Sequence, residues 1–134
     1  MTALLPVKDK KIKVKERHLH YFVLEAGDEF YLQQRNAKDI WQNLYEFFLI
    51  ESESGYRDTP AWNQLQPYIA QAGECVFSNR QRLTHQLIIS EFYLISLNAK
   101  PPHLEQGIWV KKDYIKKYAF PKTILSFFNR KKYF

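Results

Sequence analysis

Apolar and polar side chains alternate along much of this 134-residue chain in the way that half-buried strands require. Residues 19–25 and 30–35 are two such runs on either side of a short turn at 26–29, and they predict a β-hairpin. Residues 44–51 predict a third strand that is rich in aromatic rings. Residues 86–97 carry apolar side chains on both faces, so we expect them to form a strand in the middle of a sheet.

One segment after the polar loop 52–59 has helical spacing. Thr59 followed by Pro60 is typical of a helix that begins with a capping hydroxyl and has proline at its first position. The apolar residues that follow share one helical face, and they are Trp62, Leu65, Tyr68 and Ile69. Gly73 is predicted to end this helix.

The remaining predicted elements are short. Strands are predicted at 74–78 and 107–110, and helices at 112–118 and 121–129. The last helix has an apolar stripe that we expect to be buried, formed by Ile124, Leu125 and Phe128. Strands interleaved with few helices predict an α+β fold, in which a mixed sheet is flanked by helices.

Length and composition indicate one domain with a core of its own. The chain has 134 residues, of which 46% are hydrophobic, so it can bury a sizeable core. Its apolar runs stay well short of the roughly 20 residues that span a bilayer, and we expect no membrane association. Cys75, the single cysteine, excludes an internal disulfide and is typical of a reducing compartment. These features predict a cytoplasmic protein.

The formal charge of +6 is concentrated at the two ends of the chain. Residues 1–17 hold six basic and two acidic residues, and residues 111–134 hold eight basic and one acidic. The middle, 18–110, holds six basic and eleven acidic residues. Clustered Lys and Arg gain free energy by releasing phosphate counterions, so this pattern is typical of proteins that bind a polyanion. A contribution to solubility alone is the other interpretation.

Several chemically capable residues have an ordinary structural interpretation. His18 and His20 share one face of a predicted strand, but two ligands are fewer than a zinc site needs, so we expect them to pack in the hairpin. Cys75 lies in an apolar strand and is predicted to be a small buried residue. His103 is predicted to face solvent. We therefore predict no catalytic residue and no metal site in this chain.

The tripeptide Leu83-Thr84-His85 places a hydroxyl and an imidazole in a predicted turn before the strand at 86–97. Arg80 and Arg82 precede this turn, where their side chains can hold phosphates. A threonine hydroxyl both donates and accepts hydrogen bonds, so it can read the edge of a base. The alternative is that Thr84 caps the turn and His85 packs against a neighbour.

Three blocks of the sequence together resemble the C-terminal domain of A/G-specific adenine DNA glycosylases of the MutY type. The first block matches the family's Trp-Glu-Phe-Pro region through Arg35, Ile40, Trp41, Leu44, Glu46 and Phe47. In this block Asp39 and Asn43 replace two glycines, Tyr45 replaces tryptophan and Phe48 replaces proline. The second block, Leu83-Thr84-His85, matches the family's Phe/Leu-Ser/Thr-His recognition loop. The third block is the segment 118–122.

The resemblance implies a Nudix-like fold for residues 16–134, with residues 1–15 as the end of an interdomain linker or an N-terminal arm. It implies that Thr84 contacts 8-oxoguanine opposite adenine in double-stranded DNA, with Leu83 and His85 shaping the same loop. In that family the catalytic acids and a 4Fe–4S cluster belong to an N-terminal domain, and one cysteine cannot hold a four-cysteine cluster. We therefore expect a bacterial, monomeric, non-catalytic recognition domain that needs no cofactor and partners its own N-terminal catalytic domain.

Two other functions stay open from the sequence. A Nudix hydrolase acting on oxidised nucleoside triphosphates needs a helix with several glutamates to hold divalent metal against a pyrophosphate, because hard cations need grouped oxygen ligands. The predicted helix after Thr59 carries no carboxylate as far as Gly73, which disfavours this activity. A module that binds partner proteins, such as a replication clamp or a mismatch-repair protein, is the other alternative.

Overall fold

The structure is a computed structural model, and it describes residues 14–35 and 43–131. Within these ranges the chain forms seven strands: β1 (Lys15–Ala26), β2 (Glu29–Gln34), β3 (Tyr45–Glu46), β4 (Phe48–Glu51), β5 (Ile69–Arg82), β6 (Gln86–Leu97) and β7 (Ile108–Lys111). The same two ranges contain two α-helices, α1 (Pro60–Leu65) and α2 (Lys122–Lys131), and two 3-10 helices, Gln66–Tyr68 and Lys112–Lys117. Residues 1–13 of the predicted arm, and the motif residues Asp39, Ile40 and Trp41, lie outside the described residues.

The strands form one mixed sheet in which β1 occupies the centre. The order along the sheet is β3-β2-β1-β6-β5, with β4 also paired to β1 and β7 paired to β2. β1 runs parallel to β6 along nearly its whole length, and the other pairings are antiparallel. The turn between β1 and β2 contains Gly27 at φ +65°, a conformation that glycine adopts without steric cost.

Alternating residues of β1 build two apolar layers, one on each face of the sheet. Leu19, Tyr21 and Val23 face a layer closed by the second 3-10 helix and α2. Phe22 and Leu24 face the opposite layer, which α1 closes through Trp62 and Leu65. The predicted α+β class, a mixed sheet flanked by helices, is confirmed.

The first helix ends earlier than the sequence suggested. Its last α-helical residue is Leu65, a 3-10 turn follows, and β5 begins at Ile69. Pro67 explains the difference, since proline has no backbone N–H to donate and its ring clashes with the preceding helical turn. Gly73 consequently lies inside β5 and does not end a helix. A Cβ atom there would lie 2.6 Å from the Leu94 carbonyl oxygen, so the position needs glycine for close strand packing.

Other predictions about buried side chains were wrong. The buried stripe of α2 runs through Ile124, Phe127 and Phe128, whereas Leu125 is 44% exposed. A period of three to four residues from Ile124 selects these positions and leaves Leu125 facing outward. Cys75 is exposed because β5 is the edge strand of the sheet order. The single strand predicted at 44–51 is divided at Phe47 into β3 and β4.

Candidate functional site

The Leu83–His85 segment forms the tip of the hairpin between β5 and β6. Thr84 and His85 are the two turn residues, and the Leu83 N–H closes the turn by donating to the Gln86 carbonyl at 2.7 Å. The Lys15 N–H donates to the His85 carbonyl at 3.0 Å, which ties the turn to the start of β1. Thr84 and His85 are exposed, whereas Leu83 is half-buried against the core on the α2 side. The turn therefore presents a hydroxyl and an imidazole to solvent from an anchored backbone.

Arg80 and Arg82 lie on β5 itself and not in the turn. Successive alternate residues of a strand share a face, so both arginines project from the same side of the sheet, and both are exposed. They pair across from Ile89 and Leu87 of β6. The structure thus brings the two predicted phosphate-binding residues to the base of the predicted recognition turn.

Helix α2 adds a basic residue that sequence reasoning did not assign to this site. Lys122 and Arg80 line one shallow groove beside the hairpin. Thr123 fixes the start of the helix there, because its hydroxyl accepts from the Asn79 amide at 3.3 Å and lies 3.5 Å from the Gln81 amide oxygen. The signal in the sequence was the period-two polar pattern of β5, which places Asn79 and Gln81 under the helix.

The three sequence blocks of the resemblance meet in the fold. The Tyr45 N–H donates to the Ala119 carbonyl at 2.8 Å, and the Tyr45 and Tyr118 rings lie 5.0 Å apart between centroids. Leu83 packs against the same core layer that contains Phe47 and Phe120. Residues far apart in the sequence therefore form one continuous region from the first block to the hairpin tip.

Two arginine–glutamate pairs occupy the polar pocket beside this region, and sequence reasoning missed both pairings. Arg35 donates to Glu46 at 2.6 Å, and Gln33 donates to the same carboxylate at 3.0 Å. Arg17 donates twice to Glu51, at 2.8 Å in each case. The Arg17 hydrogen bonds lower the pKa of Glu51 below its ordinary value, although partial burial acts in the opposite direction. All four side chains line a pocket of about 310 Å³.

The helix α1 begins where the sequence predicted it, and it confirms the Thr59 cap. The Thr59 hydroxyl accepts from the Trp62 N–H at 3.3 Å, and Pro60 is the first helical residue. The helix bears no acidic residue. Across the described ranges 14–35 and 43–131, no group of three or more His, Cys, Asp or Glu side chains is placed to hold a metal ion.

The other residues considered in the sequence fall into different environments. His103 is exposed, as predicted. His20 is buried and His18 is half-buried, and the two point from the same face of β1. Trp62, on the apolar face predicted for the first helix, is buried in the α1 layer. In the part of the chain that the structure describes, no helix is long and apolar enough to cross a membrane.

Comparison with solved structures gives the same fold at low identity. The C-terminal domain of mouse MUTYH, solved in complex with human PCNA, has a TM-score of 0.67 and 16% identity, over 86% of each chain. The E. coli ORF135 protein has a TM-score of 0.58 and 18% identity, over 84% of this chain and 86% of that chain. A structure of MutT, from work on the Aliivibrio salmonicida and Vibrio cholerae proteins, has a TM-score of 0.54 and 18% identity, over 87% of this chain and 96% of that chain.

Sequence comparison identifies the family. No curated protein matches the chain. The family model described as NUDIX domain matches residues 20–130, which include both apolar layers and the β5–β6 hairpin. The predicted Nudix-like fold is therefore confirmed, and the chain belongs to the Nudix domain family.

Proposed function

We propose that this Nudix domain reads 8-oxoguanine opposite adenine in duplex DNA, as the recognition domain that works with the catalytic domain of an adenine DNA glycosylase. The observation that carries the proposal is the β5–β6 turn. Thr84 and His85 stand exposed at its tip, its backbone is fixed to β1, and Arg80 and Arg82 flank its base. The similarity to the MUTYH C-terminal domain supports the fold that this function requires.

The chemistry of the lesion suits a hydroxyl at the turn. Guanine has a hydrogen-bond acceptor at N7, whereas 8-oxoguanine has an N–H donor there and an additional oxygen at C8. The Thr84 hydroxyl can accept from N7–H of the lesion and donate elsewhere. A site built to pair with a donor discriminates against a base without it, because the partner group is then left unsatisfied on desolvation.

Basic residues around the turn supply attraction that does not depend on sequence. Lys15, Arg80, Arg82 and Lys122 are all exposed, and the structure links each of them to the hairpin or to the helix packed on it. Contacts of this kind fix the position of a protein on the duplex, and base contacts then specify the site. We expect the chain alone to bind DNA weakly and to release no adenine.

Two carboxylates before α1 form ion pairs with arginines, which favours recognition of a base over hydrolysis of a pyrophosphate. Glu46 is held by Arg35 and Glu51 by Arg17, so both acids are already neutralised by protein cations. A divalent metal on a pyrophosphate needs several oxygen ligands together, and α1 contributes no carboxylate to such a group. These features support a Nudix domain that recognises a base without cleaving a pyrophosphate.

The direct test measures binding of the 134-residue chain to labelled duplexes that contain a single 8-oxoguanine:A or G:A pair. Binding is measured by fluorescence anisotropy at low salt. The proposal predicts tighter binding to the lesion duplex. Equal dissociation constants for the two duplexes would contradict lesion reading by this domain.

A Nudix hydrolase of oxidised nucleoside triphosphates is the second candidate, since a MutT structure shares the fold and two arginines line the 310 Å³ pocket. The assay that separates the two candidates measures magnesium-dependent release of pyrophosphate or phosphate from 8-oxo-dGTP. Magnesium-dependent turnover by the chain would replace the first proposal with this one.

A protein-interaction module is the third candidate, because the MUTYH domain that shares the fold was solved in complex with PCNA. Among the residues that the structure describes, three large apolar side chains are exposed, namely Ile108, Tyr114 and Leu125. A pull-down that survives nuclease treatment and high salt, and that is lost in Tyr114→Ala, would favour this function.

A further inference from the structure

A cleft lies on the α1 face of the sheet, away from α2. It has a volume of about 820 Å³ and lies between the loop and helix around Tyr56 and Trp62 and a segment of β5, residues 72–75. The pairing register of β5 with β6 shifts between Ala72 and Cys75 and again before Phe77. Such bulges bend the strand and open space beside it, which accounts for the cleft.

Aromatic rings form the inner wall of the cleft. The Tyr56 ring centroid lies 4.8 Å from that of Trp62 and 5.2 Å from that of Tyr93. The faces of such rings carry partial negative charge and attract cations, most strongly when water is excluded. An open cleft with this wall is suited to a planar or cationic group.

His20 is a buried residue of the same wall. It is 7% exposed, and both of its ring nitrogens are withdrawn from solvent. Its Nδ1 lies 3.5 Å from the Glu91 carboxylate, and its ring centroid lies 5.3 Å from that of Tyr56. Burial lowers the pKa of His20, while Glu91 and the backbone of Ser52 act in the opposite direction. The imidazole of the wall is therefore neutral at neutral pH and does not repel a cation.

The charges at the rim favour a cationic ligand. Asp58 and Glu74 are exposed lining residues, and Glu91 stands behind His20. Arg57 is the one lining cation among the described residues, and its guanidinium lies 5.5 Å from the centroid of the Tyr56 ring. That contact shows that a guanidinium fits on this wall. An anionic ligand would meet two carboxylates at the rim.

We propose that this cleft binds the guanidinium group of an arginine from a partner polypeptide. The guanidinium stacks on Tyr56 and lies near Asp58 and Glu74, so its N–H groups face carboxylates or water. The outer edge of β5 borders the cleft and offers backbone groups to an extended segment that carries the arginine. This inference concerns the face that α1 covers and does not depend on DNA reading by the hairpin.

The experiment titrates the 134-residue chain with argininamide and, separately, with adenosine monophosphate. Backbone amide shifts of Tyr56, Gly73 and Glu74 report binding by NMR. The single cysteine, Cys75, is exposed and lines the cleft, so its rate of modification by a thiol reagent is an independent reporter of occupancy. We expect argininamide to shift these amides saturably and to slow the modification of Cys75.

Charge variants distinguish a cleft that binds a cation from one that binds an anion. Asp58→Asn and Glu74→Gln should each weaken argininamide binding by about threefold, as expected for exposed charge pairs. Glu105→Gln, the same type of change at an exposed residue outside the cleft, should leave it unchanged. Arg57→Ala removes the guanidinium that already lies on Tyr56, so it should strengthen argininamide binding, whereas an anionic ligand would be weakened by the same change.

Three results would overturn the proposal. The first is saturable binding of adenosine monophosphate with no response to argininamide. The second is an argininamide affinity that falls in Arg57→Ala. The third is the lack of any saturable shift at millimolar argininamide while the spectrum of the chain remains folded.

Discussion

Arg35 and Glu46 form an ion pair of 2.6 Å between Nη1 and Oε1 that is almost completely withdrawn from water, with 4% and 3% of the two residues exposed. The pair joins the end of β2 to β3, where Gln33 pairs with Glu46 in the strand register. Both side chains line the polar pocket that Arg17 and Glu51 also line. Because the pair is buried, each charge depends on the other for its stabilisation.

Breaking this pair should destabilise the domain strongly. Arg35→Met leaves the Glu46 carboxylate buried beside fewer donors, so the free energy of unfolding should fall by about 3–5 kcal/mol. The double variant Arg35→Met, Glu46→Leu removes both charges and should recover much of this loss. Urea unfolding followed by far-UV circular dichroism measures both. A loss below about 1 kcal/mol, the value of an exposed pair, would show that the pair is not desolvated.

The corrected stripe of α2 gives a matched pair of substitutions. Phe127 is fully buried and packs on Phe92 with ring centroids 4.7 Å apart, whereas the adjacent face carries the exposed Leu125. Phe127→Ala should cost about 3–5 kcal/mol of unfolding free energy through the cavity it leaves. Leu125→Ala should stay within about 0.5 kcal/mol. Similar losses for both variants in thermal or urea unfolding would contradict the placement of α2.

Stability should decline as the solution is acidified through the ordinary pKa of histidine. The folded-state pKa of His20 lies below its ordinary value of 6.5, chiefly because the ring is buried. The unfolded chain therefore binds more protons below pH 6.5, and the stabilisation present above this pH is lost as pH falls toward the folded-state pKa. His20→Phe should flatten this decline in urea unfolding series. His103→Gln, at an exposed histidine, should leave it unchanged, and a decline that persists in His20→Phe would assign it to another group.

Salt dependence should report the arginines at the base of the turn. If Arg80 and Arg82 each contact a phosphate, Arg80→Gln with Arg82→Gln should reduce the slope of log binding constant against log salt by about 2. The loss should be the same for lesion and undamaged duplexes, since phosphate contacts carry no sequence information. Lys100→Gln alters a cation beyond the other end of β6, where it pairs with Glu29, and should leave the slope unchanged.

The strands and the hairpin tip could be predicted from the sequence because their patterns involve residues that are close together in the chain. A period of two marked β1, β2 and β6, and the turn at Leu83–His85 interrupts two such runs. The predicted end of α1 was wrong because Tyr68 and Ile69 continue the helical spacing past Pro67. The backbone restriction of proline decides this boundary in the fold.

The site beyond the turn could not be derived from local pattern. Arg35 and Glu46 are eleven positions apart and meet only through the pairing of β2 with β3. The cleft at His20 exists because β5 is bulged opposite β6, and no periodicity in the sequence encodes that bulge. Cys75 was predicted to be buried because its neighbours in the sequence are apolar. It is exposed because β5 has one neighbouring strand in the sheet order.

The measurement that tests the central claim most directly is the preference for 8-oxoguanine:A over G:A in three versions of the chain: unmodified, Thr84→Ala and Thr84→Ser. The account predicts that Thr84→Ala loses about tenfold in affinity for the lesion duplex, the equivalent of one hydrogen bond, and keeps its affinity for G:A. Thr84→Ser retains the hydroxyl and should retain the preference. An unchanged preference in Thr84→Ala, or an equal loss on both duplexes, would show that this hydroxyl does not read the lesion.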